Sequence, residues 1–218
     1  MYQYILFDLD GTISDPKIGI CTSVQHALSK MGIEVPDIEV LTPFIGPPLR
    51  DSFRDFYGIK EADMEKCISY YRERFSTVGL YENELYDGIA DMLKTLHDAG
   101  KKIAIASSKP RVFVIKIMEY FHIDEYFDVM MGSELNGTRE SKSEVIAECF
   151  RLLFENDTPD LSKCVMVGDR RFDVEGAKAM NIPSIAVSYG YGPRKELEDA
   201  APDFIADSVL ELTEILMK

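Results

Sequence analysis

The stretch Tyr4-Ile5-Leu6-Phe7-Asp8-Leu9-Asp10-Gly11-Thr12 decides how the rest of the chain is read. An unbroken run of β-prone residues stops abruptly at two aspartates and a glycine, the pattern of a buried strand emptying into a turn. Side chains alternate along a strand, so Asp8 and Asp10, two apart, fall on the same side of its end. Such a pair can cap the amides of a turn, or it can serve a cation. An EF-hand calcium loop does not fit: with Gly11 at the obligatory sixth position, Leu6 and Lys17 would stand at the first and twelfth, where acids are required.

Outward from this strand, KIAIAS (102–107), FDVMM (127–131), CVMVG (164–168) and SIAVS (184–188) are further apolar runs of strand length. Helical patterns lie between them: Ile89 to Leu96 before Gly100, Val114 to Phe121 after Pro110, Val145 to Leu153, and Val174 to Met180. Strands apolar on both faces that alternate with helices predict an α/β fold, a Rossmann-like parallel sheet flanked by helices, with ligands beyond the carboxyl ends of the strands. Residues 16–79 break the rhythm. Three helical patterns occupy them, the first starting from Asp15-Pro16 as cap and first residue, the second marked by Leu49, Phe53 and Phe56, the third by Met64, Ile68, Tyr71 and Phe75. The division expected is a core of residues 1–15 and 80–218 and a helical insert of 16–79.

The chain has 218 residues, 46% of them hydrophobic and 28% charged, which is globular composition and ample for a packed core. Its net charge of −14 repels polyanions and predicts no nucleic-acid partner, although a metal ion and a few basic groups in one pocket can still hold a small phosphorylated ligand. No apolar run approaches the ~18–20 residues of a membrane helix, and no signal pattern opens the chain, so a cytoplasmic protein without a membrane partner is expected. Cys21, Cys67, Cys149 and Cys164 are dispersed without a C-x-x-C pair and are read as reduced, buried thiols. Nothing in the sequence bears on oligomeric state.

Three other strands end in groups suited to phosphate or metal. Ser107-Ser108-Lys109 follows the second run, where hydroxyls and backbone amides at a helix start can hold phosphate oxygens. Lys142 opens a helix, a position unfavourable to a cation unless it meets something anionic. Gly168-Asp169-Arg170-Arg171-Phe172-Asp173 follows the fourth run and sets two carboxylates four residues apart. Each has a bland alternative, helix capping for the serines and aspartates and solvation for the lysine.

Taken in order, FDLDGTISD (7–15), IASSKP (105–110), Lys142 and VGDRRFD (167–173) resemble the four motifs of the haloacid-dehalogenase superfamily of hydrolases, over essentially the whole chain. The resemblance implies that superfamily's α/β core with an inserted α-helical cap domain that closes over the site and selects substrate. It implies Asp8 as the nucleophile that becomes an aspartyl-phosphate and Asp10 as general acid/base. It implies Mg2+ held by Asp8, the main-chain carbonyl of Asp10 and Asp169, with Asp173 in or just behind that shell, and Ser107 and Lys142 on the transferring phosphoryl group. Lys142 and the metal would also offset the repulsion between a carboxylate and a phosphate dianion.

The activity implied is a magnesium-dependent phosphomonoesterase acting on a small phosphorylated metabolite. The segments IGPPLRDSF, LYENELYDGI and NGTRESK look most like the phosphoglycolate-phosphatase-like branch, some members of which are 5′-nucleotidases; a sugar phosphomutase of the same superfamily is the further alternative. Asp10 disfavours dehalogenation. A phosphorylated receiver module would carry its aspartate after a middle strand without a helical insert, and an idle sensor would not need all of Asp8, Asp10, Lys142, Asp169 and Asp173. In the insert, Arg50 could meet a substrate carboxylate or second phosphate, with a surface salt bridge to Asp51 or Asp55 as its alternative; Arg139 has a lesser claim.

Overall fold

A computed structural model describes residues 1–154 and 160–218. Strand β1 (Tyr4–Phe7) leads into the aspartate turn and the two-residue strand β2 (Ser14–Asp15). Helices α1 (Lys17–Lys30), α2 (Leu49–Tyr57) and α3 (Glu61–Phe75) follow, and the chain returns through β3 (Glu84–Leu85). Beyond it come α4 (Ile89–Asp98), β4 (Lys102–Pro110), α5 (Arg111–Phe121), β5 (Val129–Ser133), α6 (Lys142–Phe154), β6 (Cys164–Gly168), α7 (Arg171–Ala179), β7 (Ser184–Val187), α8 (Arg194–Ala200), β8 (Phe204–Ala206) and α9 (Val209–Met217).

Six strands form one sheet in the order β5-β4-β1-β6-β7-β8, every pair parallel. Because β1, β4 and β6 are central, both their faces are covered, and Ile5, Leu6, Phe7, Ala104, Ile105, Val165 and Met166 are all fully buried. Leu6, Ala104 and Met166 pack with Val145, Ile146 and Cys149 of α6 and Ala177 of α7. Phe7 stands level with Ile105 on one side and Val167 on the other. The residues that follow each of them therefore emerge together at one sheet edge. From β1 the chain adds β4 and β5 on one flank and then crosses to the other flank for β6 to β8, which makes β1 the switch point where an open α/β sheet offers a ligand crevice.

The chain divides into two compact units, Met1–Asp15 with Leu85–Lys218, and Pro16–Glu84. In the second, α1 and α3 bury Cys21, Val24 and Leu28 against Cys67, Ile68 and Tyr71. This unit runs to Glu84 rather than stopping at 79. Residues 79–82 lie directly on α1, where the Gly19 N–H donates to Glu82 O at 3.1 Å, and Glu82 is paired with Arg74 of α3 at 2.7 Å. Asp15 does not cap α1: the helix starts at Lys17 behind Pro16 without a side-chain cap, and the Asp15 carboxylate accepts from the Tyr191 hydroxyl.

Three elements near the C-terminus, α8, β8 and α9, go beyond the runs read from the sequence. All four cysteines are buried, and no disulfide joins them. Among the described residues no helix is long and apolar enough to cross a membrane.

A methyl group on Gly19 would stand 1.9 Å from Gly79 O, a backbone atom that cannot swing aside. Gly19→Ala should therefore cost about 1–3 kcal/mol, seen as a lower urea midpoint; an unchanged midpoint would mean that this helix contact carries no stability.

Candidate active site

The turn after β1 is closed by backbone bonds. Asp8 N–H donates to Val167 O at 2.8 Å, carrying the ladder with β6 one residue past the strand. Leu9 O accepts from the N–H groups of Thr12, Ile13 and Ser14, and Gly11 N–H donates to Ser14 O at 2.8 Å. With these amides met by carbonyls, the turn leaves both carboxylates for other work. Gly11 has φ +84°, and a Cβ there would lie 2.1 Å from Asp169 Oδ2, so a glycine both makes the turn and admits the neighbouring acid.

Lys142, the first residue of α6, is buried and reaches across the end of the sheet. Its Nζ lies 3.0 Å from Asp8 Oδ1 and 2.8 Å from Asp173 Oδ1, and it donates to Ala106 O at 2.9 Å. The cation that ill suits a helix start has thus found anionic partners. Its stem passes over Gly176 of α7, where a Cβ would come within 2.7 Å of Lys142 Cγ. Asp173 does two things at once: Oδ2 accepts from the Arg170 N–H at 3.1 Å, capping α7, while Oδ1 faces the lysine. Asp169 Oδ2 accepts from the Tyr191 N–H at 2.7 Å.

Asp8, Asp169 and Asp173, all buried, each offer an oxygen, and the three atoms lie within 4.8 Å of one another. Burial pushes the Asp169 carboxyl well above the ordinary carboxylate range, and the charges of Asp173 and Asp8 push it the same way. Burial also raises Asp173, against the pull of Lys142. For Lys142, burial works against the charge, yet Asp173 and Asp8 outweigh it and hold the ammonium above its ordinary value. Asp169 Oδ1 is buried and has no hydrogen-bond partner among the described residues. A carboxylate oxygen left bare beside two other acids fits a hard, oxygen-seeking divalent cation such as Mg2+, with Asp8, Asp169 and Asp173 as the side chains able to hold it. The carboxylate of Asp10 stands outside this group.

Asp10 instead pairs with Lys109, Nζ to Oδ2 at 2.8 Å. Burial raises its carboxyl above the ordinary value, the Lys109 ammonium opposing. Ser107 is buried, two residues beyond the partner of Phe7, with its Oγ accepting from the Lys109 N–H at 3.3 Å. The expected helix start around these serines is corrected: β4 continues to Pro110 with a register shift after Ala106, and α5 begins only at Arg111. Ser108 O is taken by the Ser133 hydroxyl at 2.7 Å, and no described contact joins the Ser108 side chain to the acids.

Arg50 belongs to the helical unit, where its two terminal nitrogens are held by Glu61 and Glu65; Asp51 and Asp55, the partners weighed from the sequence, pair with Arg54 instead. Arg139 contacts Gly132 O and Glu134. Sequence reasoning passed over Lys109, although it stands beside the quoted serines, and the segment Tyr189-Gly190-Tyr191. That segment straps the aspartate turn: the Tyr189 hydroxyl donates to Thr12 O at 3.0 Å, and Gly190 lies so close that a Cβ would meet Gly11 O at 2.2 Å. The two glycines of Y-G-Y-G, just after the strand β7, were the available signal.

Residues 5–187 match the family model described as haloacid dehalogenase-like hydrolase. The chain is 42% identical to a 5′-nucleotidase of Pseudomonas aeruginosa, covering 99% of this chain and 96% of that one. It is 36% identical to the tyrosine-protein kinase PtkA of Mycobacterium tuberculosis, over 98% of this chain and 72% of that one. With a phosphoglycolate phosphatase of Vibrio parahaemolyticus the identity is 28%, over 98% and 96%. Among solved structures, that of a predicted phosphatase from Clostridium acetobutylicum superposes with a TM-score of 0.94 at 42% identity, covering 100% of this chain and 99% of that one.

Without divalent ions, Asp169 has a folded-state pKa above its unfolded value. The folded state then binds the extra proton, and stability falls as pH rises through the window between the two values. Asp169→Asn removes that penalty, so in EDTA at neutral pH the variant should melt a few degrees above wild type, at about 2–4 °C per kcal/mol. The gap should close as pH falls toward about 4, the unfolded value. Added Mg2+ should raise the melting temperature of wild type and not of the variant. A variant less stable than wild type in EDTA at neutral pH would contradict a mutually repelling set of acids.

Proposed function

Because this chain belongs to the haloacid dehalogenase-like hydrolase family, we propose that it is a magnesium-dependent phosphomonoesterase that carries the phosphoryl group transiently on Asp8. The observation that carries this reading is the pairing of acids into two settings. Asp8 shares Lys142 and the cation-ready group with Asp169 and Asp173, whereas Asp10 stands apart with Lys109 and a raised pKa. One carboxylate is thereby placed to attack, the other, with its raised pKa, to hold and release a proton.

In this reading Asp8 attacks phosphorus, and Asp10 gives a proton to the departing ester oxygen. Water then attacks the phosphoryl-aspartate while Asp10 takes the proton back, the two-step route of covalent catalysis. Lys142, with Ser107 one strand away, holds the phosphoryl oxygens and offsets their charge against Asp8. When bound, the magnesium ion supplies charge neutralisation at the phosphoryl group.

For the substrate, the similarity over nearly the whole of both chains to a protein named 5′-nucleotidase, at 42%, outweighs that to one named phosphoglycolate phosphatase, at 28%. Nucleoside 5′-monophosphates therefore come first and phosphoglycolate second. The kinase relative is matched over a smaller share of its own length and does not displace this order. Arg50, committed to Glu61 and Glu65, is set aside as a substrate contact. Four cysteines that form no disulfide favour a reducing, cytoplasmic setting.

The test is phosphate release from nucleoside 5′-monophosphates, phosphoglycolate and sugar phosphates, with Mg2+ or EDTA. Nucleoside monophosphates should turn over fastest and only with Mg2+. Asp8→Asn should lower kcat at least about 10³-fold, the scale of losing a nucleophile. Undiminished turnover in EDTA, or in the variant, would overturn the reading.

A further inference from the structure

We propose that Lys109 is the positioning residue for proton transfer, fixing which oxygen of Asp10 exchanges the proton; the inference rests on the acid/base role given to Asp10 above. Lys109 and Asp10 form a buried ion pair, their side chains only 6% and 10% exposed, with Nζ 2.8 Å from Oδ2. The other oxygen, Oδ1, is buried and has no hydrogen-bond partner among the described residues. A carboxyl group can present either oxygen by turning about its last torsion, and a charge-assisted bond to Oδ2 in a shielded site stops that turn. Oδ1 is left as the working atom.

Lys109 is itself braced. It stands at the register shift of β4, with its N–H on Ser107 Oγ. Next door, the Ser133 hydroxyl holds Ser108 O, and Gly132 of β5 approaches so closely that a Cβ would meet Lys109 O at 2.2 Å. The Lys109 ammonium thus meets Asp10, in the turn beyond the neighbouring strand β1, from the part of β4 where the register shifts. In the first step the bond from Asp8 to phosphorus forms as the phosphorus–ester oxygen bond breaks. The electron pair of that bond goes to the leaving oxygen, which takes the proton from Asp10 Oδ1. In the second, water bonds to phosphorus, its proton passes to Oδ1, and the Asp8–phosphorus bond returns its pair to the carboxylate. Lys109 steadies the Asp10 carboxylate that exists between the steps.

The discriminating experiment varies the leaving group, because an alkoxide needs the proton and p-nitrophenolate leaves without it. On wild type, Asp10→Asn, Lys109→Met and Lys109→Arg, kcat/KM is measured for a nucleoside 5′-monophosphate and for p-nitrophenyl phosphate. With Lys109→Met the alkyl ester should lose about 10²-fold and the aryl ester less than about 10-fold, the range of general acid catalysis. Asp10→Asn should show the same selectivity, and Lys109→Arg should restore much of the alkyl-ester activity. If Lys109→Met does not fold, Lys109→Ala, which likewise leaves Oδ2 without its donor, is read in the same way. Equal losses on both esters in a folded variant that Mg2+ still stabilises would overturn the proposal, placing Lys109 on the phosphoryl group. So would full alkyl-ester activity in Lys109→Met beside a deficient Asp10→Asn, although the role of Asp10 would stand. Turnover by Asp8→Asn would instead overturn the functional reading beneath it.

Discussion

Crowding of like charge governs this molecule. Asp8, Asp169 and Asp173 place three buried carboxylate oxygens within 4.8 Å, where each ionised acid raises the cost of ionising the next. One ammonium, that of Lys142, faces two of the three. Removing Lys142 would leave the buried acids uncompensated, and their crowding requires that each be held where it stands. Much of the surrounding structure does that: Gly11 admits Asp169, Gly176 lets the lysine stem pass, Asp173 is tied to the start of α7, and Tyr191 holds one oxygen of Asp169. Three buried acids in this arrangement suit a divalent cation.

The sheet makes this crowding possible without strain. Parallel strands with a crossover between β1's two flanks bring the ends of β4, β1 and β6 side by side, so residues about a hundred and more positions apart in the chain become neighbours. Identical side chains then differ only in company. Asp8 lies against Lys142 and two other acids; Asp10, two residues on, lies against Lys109, and burial raises its carboxyl. Two carboxylates with divergent settings are the physical requirement for a nucleophile and a proton carrier at one pH.

Much of this arrangement is legible in the chain. The alternation of apolar runs with helical patterns yields the parallel α/β sheet, because strands covered on both faces need no polar alternation. Polar clusters directly after those runs mark the sheet edge at which Asp8, Asp10, Ser107 and Asp169 emerge. Lys142 is legible through its oddity, a cation at a helix start. What escapes the sequence depends on distance or on short elements. Nothing local says that Lys109 reaches Asp10 from the adjacent strand, or that Tyr191 reaches Asp169 and Asp15. β4 runs on through a register shift past the helix start expected at Ser107, and Arg50 has its partners eleven and fifteen residues away on α3 rather than beside it. Strand β8, three residues with an exposed Phe204, lacks the apolar run that marked the others.

The central claim is that the phosphoryl group rests on Asp8. Its most direct test is to acid-quench the Mg2+-loaded enzyme during turnover of a nucleoside 5′-monophosphate, reduce with borohydride, and map the peptide spanning β1 by mass spectrometry. An acyl phosphate is reduced to an alcohol whereas a free carboxylate is not, so the account predicts homoserine at position 8 and an unchanged residue at position 10. Conversion at position 10, or none at position 8 while substrate is being consumed, would contradict it.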